Sequence, residues 1–135
     1  MSVFLNNGVS CVVNSVDLSD HVQSLTINRN FSELDITAMG DSGMKRIKGL
    51  EDSSISIDFL NDTAASKVLA TLQAAWGTSI NIVVKQTSAA VSATNPSYTA
   101  SCLINGTTDV NGAVGDVGIQ SCSFNVQGTI AVATT

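Results

Sequence analysis

Three periodicities follow one another between residues 53 and 85, and they constrain the fold more than any other stretch. Residues 53–60 (SSISIDFL) alternate, with Ile55, Ile57 and Phe59 on one face and Ser54, Ser56 and Asp58 on the other, the pattern of a half-buried strand. Asn61-Asp62-Thr63 then offers a capping side chain. Ala65, Val68, Leu69, Leu72 and Trp76 recur at helical offsets, so the spacing predicts a helix over 62–76 whose apolar stripe packs into the core. Gly77 is free to take the positive φ that ends a helix. Residues 78–85 alternate again, with Ile80, Ile82 and Val84 inward. The chain leaves a sheet, lays one amphipathic helix across it, and returns.

The rest of the chain reads as further strands. They are 8–15 (GVSCVVNS, introduced by the turn pair Asn7-Gly8), 22–31 with Leu25 and Ile27 inward, and 33–39 with Leu34, Ile36 and Ala38 on one side. Residues 98–105 alternate Tyr98, Ala100, Cys102 and Ile104 against Thr99, Ser101 and Leu103, and 119–127 place Cys122, Phe124 and Val126 inward. Residues 129–133 form a last β-prone arm. The neighbours 22–31 and 33–39 are expected to pair, and Asp17 or Ser19 to cap a single helical turn. About seven to eight strands against one helix predict a mainly antiparallel β-sandwich or small barrel, organised as one domain over 1–135.

Residues 40–52 (GDSGMKRIKGLED) interrupt this pattern with Gly40, Gly43 and Gly49 and with Lys45, Arg46 and Lys48, half of the six Lys and Arg. They read as a long exposed loop, one that orders only against a partner, and its basic cluster either pairs with acids on a neighbouring protein surface or is merely solvated. Residues 86–135 hold no Lys or Arg, and only Asp109 and Asp116 as acids.

Charge and hydropathy narrow the function. A net charge of −5 argues against a grip on nucleic acid through phosphate neutralisation. Acids surround the basic cluster in sequence, and no aromatics are interleaved with it for base stacking. Hydrophobic residues make up 44% and charged residues 13% of the chain, and the mean hydropathy is +0.27. A free monomer would leave much apolar surface in water, so self-association is the expected outlet. No apolar run is long enough to span a bilayer. Cys11, Cys102 and Cys122 lack a C-x-x-C spacing and the start lacks a signal-peptide pattern, from which a reducing cytoplasm is the expected site of synthesis. The N-x-S/T matches at Asn30, Asn61 and Asn105 then carry no weight.

Reactive chemistry finds little support. His21 is the single histidine, and no nucleophile elbow accompanies it, so a turn histidine outweighs a catalytic one by roughly twenty to one. Asp17, Asp20 and His21 would make a ligand-poor metal site. Asp109-Val110-Asn111-Gly112 begins like a calcium loop, but Val114 and Gln120 stand where the glycine and the glutamate belong, which leaves a turn. No cofactor, metal or small-molecule substrate is expected, and no enzymatic activity.

Residues 16–27 (VDLSDHVQSLTI) and 33–62 (ELDITAMGDSGMKRIKGLEDSSISIDFLND) resemble the tail tube, or major tail, proteins of tailed bacteriophages. An acidic-aliphatic strand enters a T-x-M-G-D turn, a basic loop, and a G-L-x-D-x-S strand start. The likeness continues through the helix, residues 87–99 (TSAAVSATNPSYT) and the final strand. It implies a β-sandwich with one helix, assembling into hexameric rings that stack into a hollow tube for genome passage. It implies a virion protein made in the host cytoplasm; members of that family often carry extra domains, and none beyond the sandwich is expected here. Its partners would be its own copies, other tail proteins at the tube ends, and DNA in transit, with no membrane. In that family a long loop between two early strands contacts the adjacent ring. Here that loop would be carried by Met39, Asp41, Met44, Lys45, Arg46, Ile47, Lys48, Leu50, Glu51 and Asp52.

The strand periodicity supplies a matching lumen. Ser54, Ser56 and Asp58, with Thr99 and Ser101, and with Ser121, Ser123 and Asn125, would give a small-residue, neutral-to-acidic wall past which DNA slides, because it offers no cations to hold phosphates. A reading of another class is a monomeric or low-order β-sandwich binding or decoration module. Against it, sugar sites present exposed aromatics, whereas Trp76 is expected on the helix stripe and Tyr98 on an inward strand face.

Overall fold

The computed structural model describes residues 8–135 and is mainly β, with three antiparallel sheets and one α-helix. Asn7, the first half of the expected turn pair, lies outside the described residues. The strands are β1 (Ser10–Val13), β2 (Val16–Asp17), β3 (Val22–Asn28), β4 (Phe31–Asp35), β5 (Arg46–Glu51), β6 (Ser54–Leu60), β7 (Ser79–Lys85), β8 (Ser97–Leu103), β9 (Ile119–Asn125) and β10 (Ala131–Ala133). Helix α1 (Val68–Ala74) lies between β6 and β7, and a 3-10 turn covers Ser19–His21.

Two sheets, ordered β10-β8-β7-β1-β2 and β3-β6-β9, make the sandwich. Alternation along their strands decides what lies between them. Ile55, Ile57 and Phe59 of β6 and Cys122 and Phe124 of β9 are buried in one core with Cys11, Val13, Ile80, Ile82, Val84, Ala100 and Cys102 of the larger sheet. Each large apolar side chain so enclosed contributes about 1.5–3 kcal/mol relative to exposure.

One side of the sandwich is closed by a strand that changes sheets. After β9 the chain leaves β6 and bridges Cys102 through Val126. The Gln127 N–H donates to the Ser101 carbonyl at 2.7 Å, and the chain bends at Gly128 (φ 80) before β10 runs beside β8. Such a bend is how sheets join at a corner. On the other side β3 has β6 as its one strand partner among the described residues.

Three expectations are corrected. The helix is Val68–Ala74, not 62–76. Asp62 does accept a backbone N–H, but from Ala64 at 2.9 Å, which closes a turn, and Ser66 at φ 61 breaks the run before the helix starts. Of the expected stripe, Val68 and Leu72 are buried and Leu69 is half-buried. Ala65 is exposed in the turn, and Trp76, beyond the C-cap Ala75, is 59% exposed. Gly77 takes φ 76 as its position requires.

The second correction concerns pairing: β3 pairs with β6 and β4 with β5, so the strands on either side of residues 29–30 do not pair with each other. The third concerns residues 40–52, whose second half is β5. Instead of a long loop there is a hairpin, ordered within its own chain.

Candidate functional site

The β4–β5 hairpin forms a two-stranded sheet of its own. Its register opposes Glu33 to Lys48, Leu34 to Ile47 and Asp35 to Arg46, so one face is charged and the other apolar. Opposite charges on facing positions stabilise such a pair of strands by roughly 0.2–1 kcal/mol each. Arg46 Nε lies 3.4 Å from Glu33 Oε2, and Lys48 Nζ stands 5.6 Å from the centre of the Phe31 ring. Gly49 is required at its position, because a Cβ there would lie 2.7 Å from the Ser32 carbonyl oxygen.

The connection between the two strands is also bonded. The Lys45 N–H donates to Thr37 Oγ1 (2.9 Å) and the Ala38 N–H to Asp41 Oδ2 (2.8 Å), while Lys45 Nζ reaches Asp41 Oδ1 at 2.9 Å. The backbone bond from Ala38, aided by Lys45, holds the Asp41 carboxyl below its ordinary value. At the root, Glu51 Oε2 accepts the Ile130 N–H at 2.8 Å and the Ser53 hydroxyl at 3.1 Å. The Ile130 bond is the main reason the Glu51 carboxyl is likewise lowered.

Of the expected loop residues, Met39, Met44, Lys45, Arg46, Ile47, Lys48, Leu50 and Asp52 are exposed and Asp41 and Glu51 are half-buried. The sequence reading set Leu34 and Ile36 on one side of a strand but did not group them, or Phe31, with these residues; all three are about half exposed on the same hairpin. Their signal was present: the alternation E-L-D-I at 33–36 is answered by R-I-K at 46–48 with the charge reversed.

The outer face of the β3-β6-β9 sheet is a grid of small polar side chains. Registers place Asn28, Ser54 and Asn125 in one row, Thr26, Ser56 and Ser123 in the next, and Ser24, Asp58 and Ser121 in a third. Ser121 donates its hydroxyl to Asp58 Oδ1 at 2.8 Å, and Ser56 reaches Ser123 at 3.4 Å. Six of the eight expected lining residues therefore share a face. Thr99 and Ser101 do not: they sit on β8, opposite Val83 and Asn81, on the outer face of the other sheet. Ser24, Thr26 and Asn28 take their place, and the period of two that turned Leu25 and Ile27 inward was the signal for them.

The residues weighed for chemistry disperse. His21 Nε2 lies 2.8 Å from Asp62 Oδ2, whereas Asp17 accepts the Ser19 hydroxyl (2.5 Å) and N–H (3.0 Å). The Ser19 bonds hold the Asp17 carboxyl low, and the Ala64 N–H followed by His21 does the same for Asp62. Burial pushes the thiols of Cys11 and Cys122 up to about 12 and that of Cys102 to about 11, so they stay protonated. Among the described residues, no cluster of three or more His, Cys, Asp or Glu could hold a metal ion, and no helix is long and apolar enough to cross a membrane. A cleft of about 320 Å³ opens on the unjoined side of the sandwich. Its walls are Val9, Leu25, Ile27, Val84 and Tyr98, with Arg29 and Lys85 at the rim.

No family model matches the sequence, and no curated protein does. Among solved structures, a chain of the virion of a native gene transfer agent (GTA) particle is similar over 98% of this chain and 100% of its own, at 12% identity and a TM-score of 0.76. A chain of the tail of an empty GTA particle, determined with helical refinement and C6 symmetry, covers 85% of this chain and 83% of its own, at 16% identity and a TM-score of 0.62. A chain of the 6-fold symmetrised baseplate of the anti-feeding prophage covers 99% and 98%, at 14% identity and a TM-score of 0.61. At these identities the likeness is one of fold, and the chain shares that fold with chains of a virion, a tail and a baseplate.

Proposed function

We propose that this chain is a non-enzymatic structural subunit of a phage-tail-type particle, assembling into stacked hexameric rings that form a hollow tube for DNA. The observation that carries this reading is the hairpin: an arm whose apolar side chains Leu34, Ile36 and Ile47 stay about half exposed against the described residues, on a fold shared with a tail chain. An arm of this kind loses its exposed apolar area when another copy meets it. The six-fold symmetry of the tail and baseplate neighbours supports the copy number.

The polar grid then lines the lumen. Joining its free β3 edge to other copies removes an edge that otherwise invites uncontrolled pairing. Its one charged group is Asp58. A wall without cations releases no counterions from DNA and leaves the strand free to slide. The other partners are tail proteins at the tube ends, the location is the virion, and synthesis is in the host cytoplasm.

Negative-stain microscopy of the purified protein tests the reading. Rings or hollow tubes of uniform diameter are the expected result. A homogeneous monomer at high concentration overturns it.

A further inference from the structure

Two Asn-Gly pairs lie in the connection between β8 and β9, and their sequence surroundings are nearly the same. Ile104 precedes Asn105-Gly106 and Val110 precedes Asn111-Gly112, a β-branched residue in each case. An asparagine followed by glycine is chemically labile, because no Cβ hinders the glycine nitrogen from reaching the asparagine side-chain carbon. A difference in reactivity between the two pairs therefore comes from the fold.

The fold holds them differently. Ile104 is tied to the sheet: its N–H donates to the Thr78 carbonyl at 3.0 Å and its carbonyl accepts the Gly77 N–H at 2.9 Å. The next anchors are Thr107, whose hydroxyl donates to Asp109 Oδ1 at 2.7 Å, and Thr108, whose N–H donates to Oε1 of the buried Gln120. Between these anchors Asn105 is exposed, and neither its side-chain amide nor the Gly106 N–H has a hydrogen-bond partner among the described residues. Asn111 is exposed as well, but its Nδ2 donates to the Ile119 carbonyl at 3.3 Å. That bond ties the leaving nitrogen of Asn111 to β9.

We infer that Asn105-Gly106 is a self-modification site of the folded chain, and that Asn111-Gly112 is spared. The Gly106 nitrogen bonds to Asn105 Cγ, the Cγ–Nδ2 bond breaks, and ammonia leaves with the Gly106 proton. Water then opens the succinimide at either carbonyl. The product is aspartate or isoaspartate at position 105, which adds one negative charge to the −5 of the chain. Isoaspartate also routes the backbone through the side-chain carbon. It does so just beyond the Ile104 anchor, so the sandwich stays intact while the free stretch before Thr107 lengthens.

Ageing the whole protein in mildly alkaline buffer, with and without urea, tests this. Peptide mapping by mass spectrometry reads conversion at each asparagine from the replacement of NH2 by OH, and enzymatic methylation counts the isoaspartate. One net hydrogen bond corresponds to roughly two- to twelvefold in rate, so the ratio of conversion at Asn105 to that at Asn111 should be larger by that factor in the folded chain than in urea. Asn105→Gln, with an unchanged circular dichroism spectrum, should remove most of the acidic species that ion exchange separates from the aged folded protein. Equal ratios in the two conditions, faster conversion at Asn111, or an acidic species that persists in Asn105→Gln would overturn the assignment. So would a folded chain that stays unmodified at 105 while the unfolded chain converts.

Discussion

In the sandwich, Ile55, Ile57 and Phe59 alternate with Ser54, Ser56 and Asp58 and vanish beneath a second sheet. In the hairpin, Leu34 and Ile36 alternate with Glu33 and Asp35 just as regularly, and they remain about half exposed. The local pattern is the same in both regions. What differs is the number of layers: a period of two states that a strand has an apolar face, and says nothing of which molecule covers it. Two strands alone are marginal in water, so the hairpin leans on its cross-strand charges, its bonded connection and its root.

The contrast is broken most forcefully by comparing the same residue type in both regions. Phe59→Ala should destabilise the chain by about 3–5 kcal/mol, the range for emptying a buried aromatic site. Phe31→Ala, half exposed and facing Lys48, should cost about 1 kcal/mol or less. Urea unfolding measures both, and comparable losses would mean that the hairpin has a core after all.

A smaller effect per group is expected from alkali. Cys11, Cys102 and Cys122 all belong to the sandwich, and burial raises their thiols from 9.0 to about 12, 11 and 12. Above pH 9 the unfolded chain releases protons that the folded chain keeps. Stability is therefore intact below pH 9 and falls as pH rises toward the folded values, by about 1.4 kcal/mol per pH unit for each thiol. Unfolding at pH 8, 9 and 10 reads the slope, which should be shallower for Cys122→Ala. An unchanged slope in that variant would show that the thiol is reached by solvent.

The smallest change sharpens the comparison from the hairpin's side. Leu34→Ser with Ile47→Ser should alter the free energy of unfolding by no more than about 0.5 kcal/mol per site, as exposed substitutions do. A loss of several kcal/mol by the same measurement would tie the hairpin to the folding of the body.

The sandwich was legible because its strands are half-buried and carry their evidence locally: Ile80, Ile82 and Val84, and likewise Cys122, Phe124 and Val126, turn inward as their spacing requires. The helix was legible only in its second half. Ala65 matches the stripe in spacing, but the positive φ of Ser66 and the side-chain bond of Asp62 are local choices that hydrophobic periodicity does not encode. Trp76 fails for the reverse reason, since it continues the stripe two residues past Ala74, where the chain stops being helical. The pairing of β4 with β5 was hidden because Gly40, Gly43 and Gly49 read as a loop, although Glu33 and Asp35 stand opposite Lys48 and Arg46 in the register and Arg46 pairs diagonally with Glu33. The polar face was two-thirds visible. Thr99 and Ser101 were grouped with it because a period of two tells the faces of one strand apart but not the faces of two sheets.

The carboxylate of Glu51 has a mechanical meaning. The hairpin joins the body through two short connections, at Asn30 and at Asp52, which by themselves would act as a swivel. By accepting the Ile130 N–H, Glu51 braces one of them against the segment that crosses from β9 to β10. A pull on the arm is thereby passed to the corner where both sheets meet, and is shared by the whole sandwich. Because that bond also keeps the Glu51 carboxyl ionised below the usual range, the brace stays engaged in mild acid and slackens only when the group is finally protonated.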